Sequence, residues 1–180
     1  MMMMLVLLRR VSVALGLITM FALNAAPVQA AAVKDYIPNA QLVGEAQFKV
    51  VFFKIYDAAL FATDGEYSRS KPFALRIKYL VDADKERIVK QSIDEMERQK
   101  AAKADRLAEW RVLMEETFTD IKENDLAYMV QNDDRTLTLW TNDEEPVTIT
   151  DKGFARAFLN IWVGRKARDK DFQRQLFGQN

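Results

Sequence analysis

Four polar side chains, Gln47, Lys49, Lys54 and Tyr56, interrupt an apolar run that extends from Leu42 to Ala62. Arg76 and Lys78 do the same on the next apolar segment. A cation in apolar surroundings stays charged only beside an anion, so such a lysine or arginine would hold a carboxylate or phenolate. Aromatic and aliphatic neighbours would hold the ligand's tail, which is the composition of a small-molecule pocket. The competing reading is plain alternation, with the polar side chains on the solvent face of a sheet. Residues 47 and 49 share one face of a regular strand, and Tyr56 follows across a tight reversal. Any of these polar residues could therefore anchor such a ligand, and a small amphipathic carboxylate or phenolate is the kind of ligand they would hold.

Other chemistry is sparse. The chain contains no Cys and no His. That excludes disulfides, thiolate nucleophiles, zinc-thiolate sites, Ser-His-Asp triads and imidazole bases. The acidic runs Asp133-Asp134 and Asp143-Glu144-Glu145 lack the glycine and terminal glutamate of a calcium loop, so they read as solvated turns. The adjacent pairs Asp94-Glu95 and Glu115-Glu116 point apart on a helix and read as solvated faces. No catalytic residue, metal ligand or cofactor is assigned. Trp110 and Trp162 read as core residues; Trp140 is balanced between core and pocket.

The elements that must position these residues follow from periodicity. The apolar run from Leu42 to Ala62 is too long for one strand, so a bulge or tight reversal is expected near Val51 to Lys54. Phe73, Leu75, Ile77 and Tyr79 alternate as a half-buried strand. From Lys85 to Phe118 the period becomes helical. One helix there would be about 50 Å long, so a break near Lys100 to Ala104 and a helical hairpin are predicted. Strands return at Leu126 to Val130, Leu137 to Thr141 and Pro146 to Thr150. Asp151 caps a helix from Lys152 to Val163 that Gly164 stops, and a short helix follows from Lys170 to Phe177. The expected core comprises Phe52, Phe73, Leu75, Ile77, Trp110, Leu139, Phe154, Phe158, Ile161 and Trp162. The order of strands and helices indicates an α+β fold with a mainly antiparallel sheet.

Residues 1–30 read as a secretory signal peptide. Arg9 and Arg10 precede the uncharged run from Val11 to Leu23, and Val28 and Ala30 fall at the −3 and −1 places of a cleavage site. Cleavage after Ala30, with Ala32 as the second choice, leaves residues 31–180 as one domain. The expected location is the periplasm, with no membrane span after cleavage. Losing two arginines leaves 24 Lys and Arg against 26 Asp and Glu. That balance argues against nucleic-acid binding.

An ordered set of segments resembles the bacterial chalcone isomerase-like family. They are Leu42-Val43-Gly44-Glu45-Ala46, the stretch from Phe52 to Phe61, Phe73 to Leu80, Asp94-Glu95-Met96, Asn124-Asp125-Leu126 and Gly153 to Gly164. The resemblance spans the chain after residue 30 and implies an open-faced β-sandwich, a large antiparallel sheet covered on one face by helices. In the plant isomerases of the family a strand arginine after a Gly-rich stretch polarises the substrate, helped by a threonine on the next strand. Related fatty-acid-binding members keep the arginine and carry tyrosine at the threonine's place. Here Gln47 or Lys49 occupies about the arginine's place, and Tyr56 matches the tyrosine of the fatty-acid binders. The resemblance thus makes Gln47, Lys49 and Tyr56 the candidate ligand-binding residues for a small amphipathic carboxylate. Flavanone ring closure needs a fixed cation at the developing charge, and lysine is not a bidentate substitute for arginine. The resemblance therefore implies a non-catalytic periplasmic protein that binds a small amphipathic ligand such as a fatty acid. Two alternatives stand beside it: a structural or partner-binding protein with a filled core, whose partner is unknown, and an isomerase or lyase that works without His or Cys.

Overall fold

The computed structural model describes residues 32–179. The signal-peptide reading of residues 1–30 falls outside them. Six strands form one sheet in sequence order: β1 (Ala40–Val50), β2 (Phe53–Thr63), β3 (Phe73–Tyr79), β4 (Leu126–Gln131), β5 (Leu137–Thr141) and β6 (Val147–Ile149). Every neighbouring pair is antiparallel. Between β3 and β4 the chain forms the helical hairpin α1 (Lys85–Arg98) and α2 (Ala104–Thr117). After β6 come α3 (Lys152–Val163) and α4 (Lys170–Leu176).

Strand alternation sorts the sheet residues onto two faces. Leu60, Leu75, Ile77, Met129 and Leu137 pack with Met96, Trp110, Phe154 and Phe158 from the helices, forming the main core. On the opposite face Phe61, Ala74, Val130 and Trp140 pack with Val33 and Ile37 from the segment preceding β1. Tyr36 of that segment stacks on Trp140, which in turn stacks on Tyr128. This second, smaller core explains why β2 is buried on both faces from Ala58 to Ala62. It also places Trp140 in a core, though not the helical one.

Gly44 decides how the sheet edge is closed. A Cβ there would lie 2.3 Å from the carbonyl oxygen of Gln175 and 2.5 Å from the amide nitrogen of Gly178. The end of α4 therefore lies directly on β1, where the ladder shifts register between Leu42 and Gly44.

Two expectations are corrected. Phe52 is not in the core. The reversal is a two-residue turn, Val51-Phe52, with no layer above it, and Phe52 is 91% exposed. Leu139, Ile161 and Trp162 are partly buried and pack against the main core. Glu95 is not solvated. It is buried on α1, where it accepts from Arg98, Gln99 and Arg168 and so ties the helix to the segment between α3 and α4. Burial alone would raise its carboxyl pKa, but these donors outweigh it and hold the carboxyl below its usual range. Its neighbour Asp94 is exposed and pairs with Lys90 one turn earlier.

Candidate functional site

Gln47, Lys49 and Tyr56 are not brought together. Gln47 lies opposite Asp57 in the ladder and donates to its carboxylate at 2.7 Å. Tyr56 lies opposite Phe48, one position along, and so projects to the other face. There it stacks on Phe48, meets Phe172 edge-on, and accepts a hydrogen bond from Trp162 Nε1 at 3.1 Å. Burial raises the pKa of the Tyr56 hydroxyl far above its ordinary value, so it remains a neutral phenol. Lys49 is exposed beside the turn and lies opposite Lys54. Lys49 follows Phe48 on β1 and so projects to the face opposite Tyr56.

Arg76 is the buried cation of the sheet. It lies on the face opposite the helices, 5% exposed, 3.2 Å from Glu45 and over the ring of Phe61. Its Nε and Nη1 have no hydrogen-bond partner.

The feature best built for a ligand lies elsewhere, between the sheet and α3, at the end of the sheet where β3 begins and β4 finishes. It is a cleft of about 370 Å³. Tyr67, Phe73, Leu159 and Val163 provide its apolar lining, and Gln131 and Asn160 add neutral polar groups. Arg69, Arg135, Lys152 and Arg156 line it as well. The lining contains no carboxylate, and none of those four cations forms a salt bridge among the described residues.

Separate elements position each part. The loop joining β2 to β3 brings Tyr67 and Arg69. Tyr67 is fixed edge-on against Phe73 and stacked on Phe177. Arg69 donates to the carbonyl of Val163 at 2.6 Å, joining this loop to the end of α3. Arg135, in the turn between β4 and β5, donates to the carbonyls of Arg69 and Ser70, and Gln131 to that of Lys71. Lys152 and Arg156 are four residues apart on α3 and share a helical face. The Tyr67 hydroxyl is buried without a hydrogen-bond partner. Burial pushes its pKa up to about 12, although the Arg69 charge pulls the other way. It is thus a neutral donor at neutral pH. A buried hydroxyl beside Arg69, an apolar floor and four cations outside any salt bridge together suit an amphipathic anion.

Sequence reasoning missed this cleft. Its cations come from three separated parts of the chain, and only the Lys152–Arg156 spacing was a readable local signal. A second cavity, between the α2 end and β4–β5, is lined by Phe118, Met129, Leu139 and Phe158 and measures only about 90 Å³. Among the described residues no cluster of three acidic side chains stands ready to hold a metal. No described helix is long and apolar enough to cross a membrane.

A six-stranded antiparallel sheet, helices on one face and a basic-rimmed cleft between the layers define an open-faced β-sandwich of the α+β class. Residues 30–178 match the chalcone isomerase-like family, and the chain belongs to it. Among solved structures it resembles a fatty-acid binding protein of Arabidopsis thaliana, with a TM-score of 0.56 and 9% identity. The match covers 78% of this chain and 87% of that one. At that identity the likeness is one of fold. A comparison with curated proteins gives no match.

Proposed function

We propose that this protein binds a small amphipathic anion, such as a fatty acid, in the cleft between the sheet and α3, without transforming it. The observation that carries this reading is the cleft itself: an apolar floor under four cations, with no carboxylate in the lining and the Tyr67 hydroxyl unpartnered. Its volume of about 370 Å³ falls in the range of small-ligand sites. Fatty-acid binding by the Arabidopsis protein of the same fold supports the choice of ligand class. The carboxylate would sit at the rim and the tail against Phe73, Leu159 and Val163.

Lys152 and Arg156 are the informative positions because neither has a hydrogen-bond or ion-pair partner among the described residues. Lys152→Gln combined with Arg156→Gln should leave the fold intact and weaken dodecanoate binding. The loss should be roughly 1.5–3 kcal/mol, the range for hydrogen bonds to charged groups. Calorimetric titration with sodium dodecanoate checks this; unchanged affinity in the double variant would remove the cleft from consideration.

We further propose that the protein acts in the periplasm, on the strength of the charged, apolar and small-residue regions that succeed one another in residues 1–30. Mature protein should begin at Ala31, or at Val33 from the second site, and fractionate with soluble periplasmic proteins. N-terminal sequencing decides it, and an intact Met1 in the membrane fraction is the opposing result.

A further inference from the structure

The tip of the β1–β2 hairpin exposes four consecutive large apolar side chains. Val50 is 50% exposed, Val51 78%, Phe52 91% and Phe53 73%. Directly behind them Lys49 and Lys54 face each other as a cross-strand pair. Both are exposed, and neither forms an ion pair among the described residues. We infer that this tip is a membrane-docking element that inserts its valines and phenylalanines into an anionic phospholipid surface.

The folded chain has no use for these residues where they are. Val51 has φ +56°, a conformation that glycine or asparagine adopts readily and a β-branched residue does not. Positive φ at the first central position alone is the sign pattern of a type II′ turn, whose usual first residue is glycine. The chain thus keeps a valine in a strained position and a phenylalanine in solvent, where a Gly-containing turn would be more stable. Like charges directly opposite on a ladder are also unfavourable. The exposure of the apolar side chains and the repulsion of the two lysines are both reduced by one kind of partner, an apolar interior beneath a negatively charged surface. Apolar side chains enter the acyl boundary while lysines remain at the anionic headgroups, where each adds attraction.

A second copy of the chain fits less well. Tip-to-tip contact would gather four lysines with no intervening acid. A convex tip of four residues also offers little area to a protein partner. This docking does not depend on what the cleft holds, and failure of either reading leaves the other standing.

Co-sedimentation with vesicles tests it, using the wild-type protein and variants purified in the same way. Wild type should sediment with vesicles of equal parts phosphatidylcholine and phosphatidylglycerol. Phe52→Ser combined with Phe53→Ser should lower the partition coefficient at least about tenfold, given the apolar area withdrawn from lipid. Lys49→Gln with Lys54→Gln should abolish the preference for these vesicles over pure phosphatidylcholine. Val51→Asn separates docking from folding: it should raise the melting temperature while lowering vesicle binding, a combination that a purely structural turn would not give. Three results would overturn the inference. They are no sedimentation of wild type with the anionic vesicles, equal sedimentation of the double-Phe variant, or a wild-type dimer in sedimentation velocity that the double-Phe variant converts to monomer.

Discussion

Truncating Phe158 to alanine should remove about 3–5 kcal/mol of stability, the range for deleting a buried phenylalanine. Phe158 is 4% exposed on α3. It stacks on Phe154 with ring centroids 5.4 Å apart, meets Trp162 edge-on at 5.4 Å, and tilts against Phe118 at 5.5 Å. These partners come from α3 itself and from the end of α2, so the ring joins the two helical units over the sheet. The partners are themselves bulky rings held by their own helices, which limits how far they can move into the space left by the ring. A cavity penalty therefore applies, in addition to the lost transfer energy. Urea unfolding should show the midpoint falling with little change in slope, since the surface exposed on unfolding is nearly the same. A loss below about 1 kcal/mol would mean that this face of α3 is not a core face.

The helical core was legible because its signal is periodic and local. Phe154, Ala157 and Phe158 repeat at helical spacing after a capping aspartate, and all are buried. The break between α1 and α2 was legible from length alone, and it falls where expected, between Arg98 and Ala104. Strand β3 was read from simple alternation, yet only its helix-facing residues were placed in a core. Ala74 and Arg76 are buried too, because residues preceding β1 cover the opposite face. Nothing in the local pattern of β3 announces that cover. The misplacement of Phe52 has the same origin: hydrophobicity reports a preference for burial, and only topology reports whether a layer is available.

The site was less legible than the fold. Lys49 and Tyr56 are close in sequence, and a turn between them suggested convergence. Tyr56 pairs with Phe48, the residue before Lys49, so alternation leaves the tyrosine under Trp162 and the lysine on the other face in solvent. Conversely, Arg69, Arg135 and Arg156 are far apart in the chain and meet only because three loops and helices end at the same corner of the sheet. Such convergence is a property of the fold, which the family resemblance implied only in outline.

Asp151 shows how one residue can carry several of these connections, and its replacement should have the second large effect. Its Oδ1 accepts from the backbone amides of Gly153 and Phe154, capping α3. Its Oδ2 accepts from Trp110 Nε1 at 2.8 Å and from Arg106 at 2.6 Å, tying α2 to the start of α3. Burial alone would raise the pKa of this carboxyl. The Phe154 amide, the Trp110 indole and the Arg106 charge outweigh burial and hold it below the usual carboxylate range. Asp151→Ala removes the cap, worth about 1 kcal/mol, and leaves the indole N–H of a buried tryptophan unsatisfied, at roughly 1–3 kcal/mol more. The expected loss is therefore about 2–4 kcal/mol. Asp151→Asn should recover only the cap. Its single side-chain oxygen can accept from the Gly153 and Phe154 amides, whereas its NH2 group, turned toward the Trp110 and Arg106 donors, cannot accept from them. The pH dependence distinguishes charge from hydrogen bonding. A carboxyl with a depressed folded-state pKa contributes stability that is present above its unfolded pKa, near 3.9, and is lost as pH falls through the lower folded value. Wild type and Asp151→Asn should thus differ most at neutral pH and converge in strong acid. Thermal melts of both proteins across the acid range would show this convergence. A constant difference at all pH values would mean that ionisation of Asp151 contributes nothing to stability, contrary to its lowered pKa.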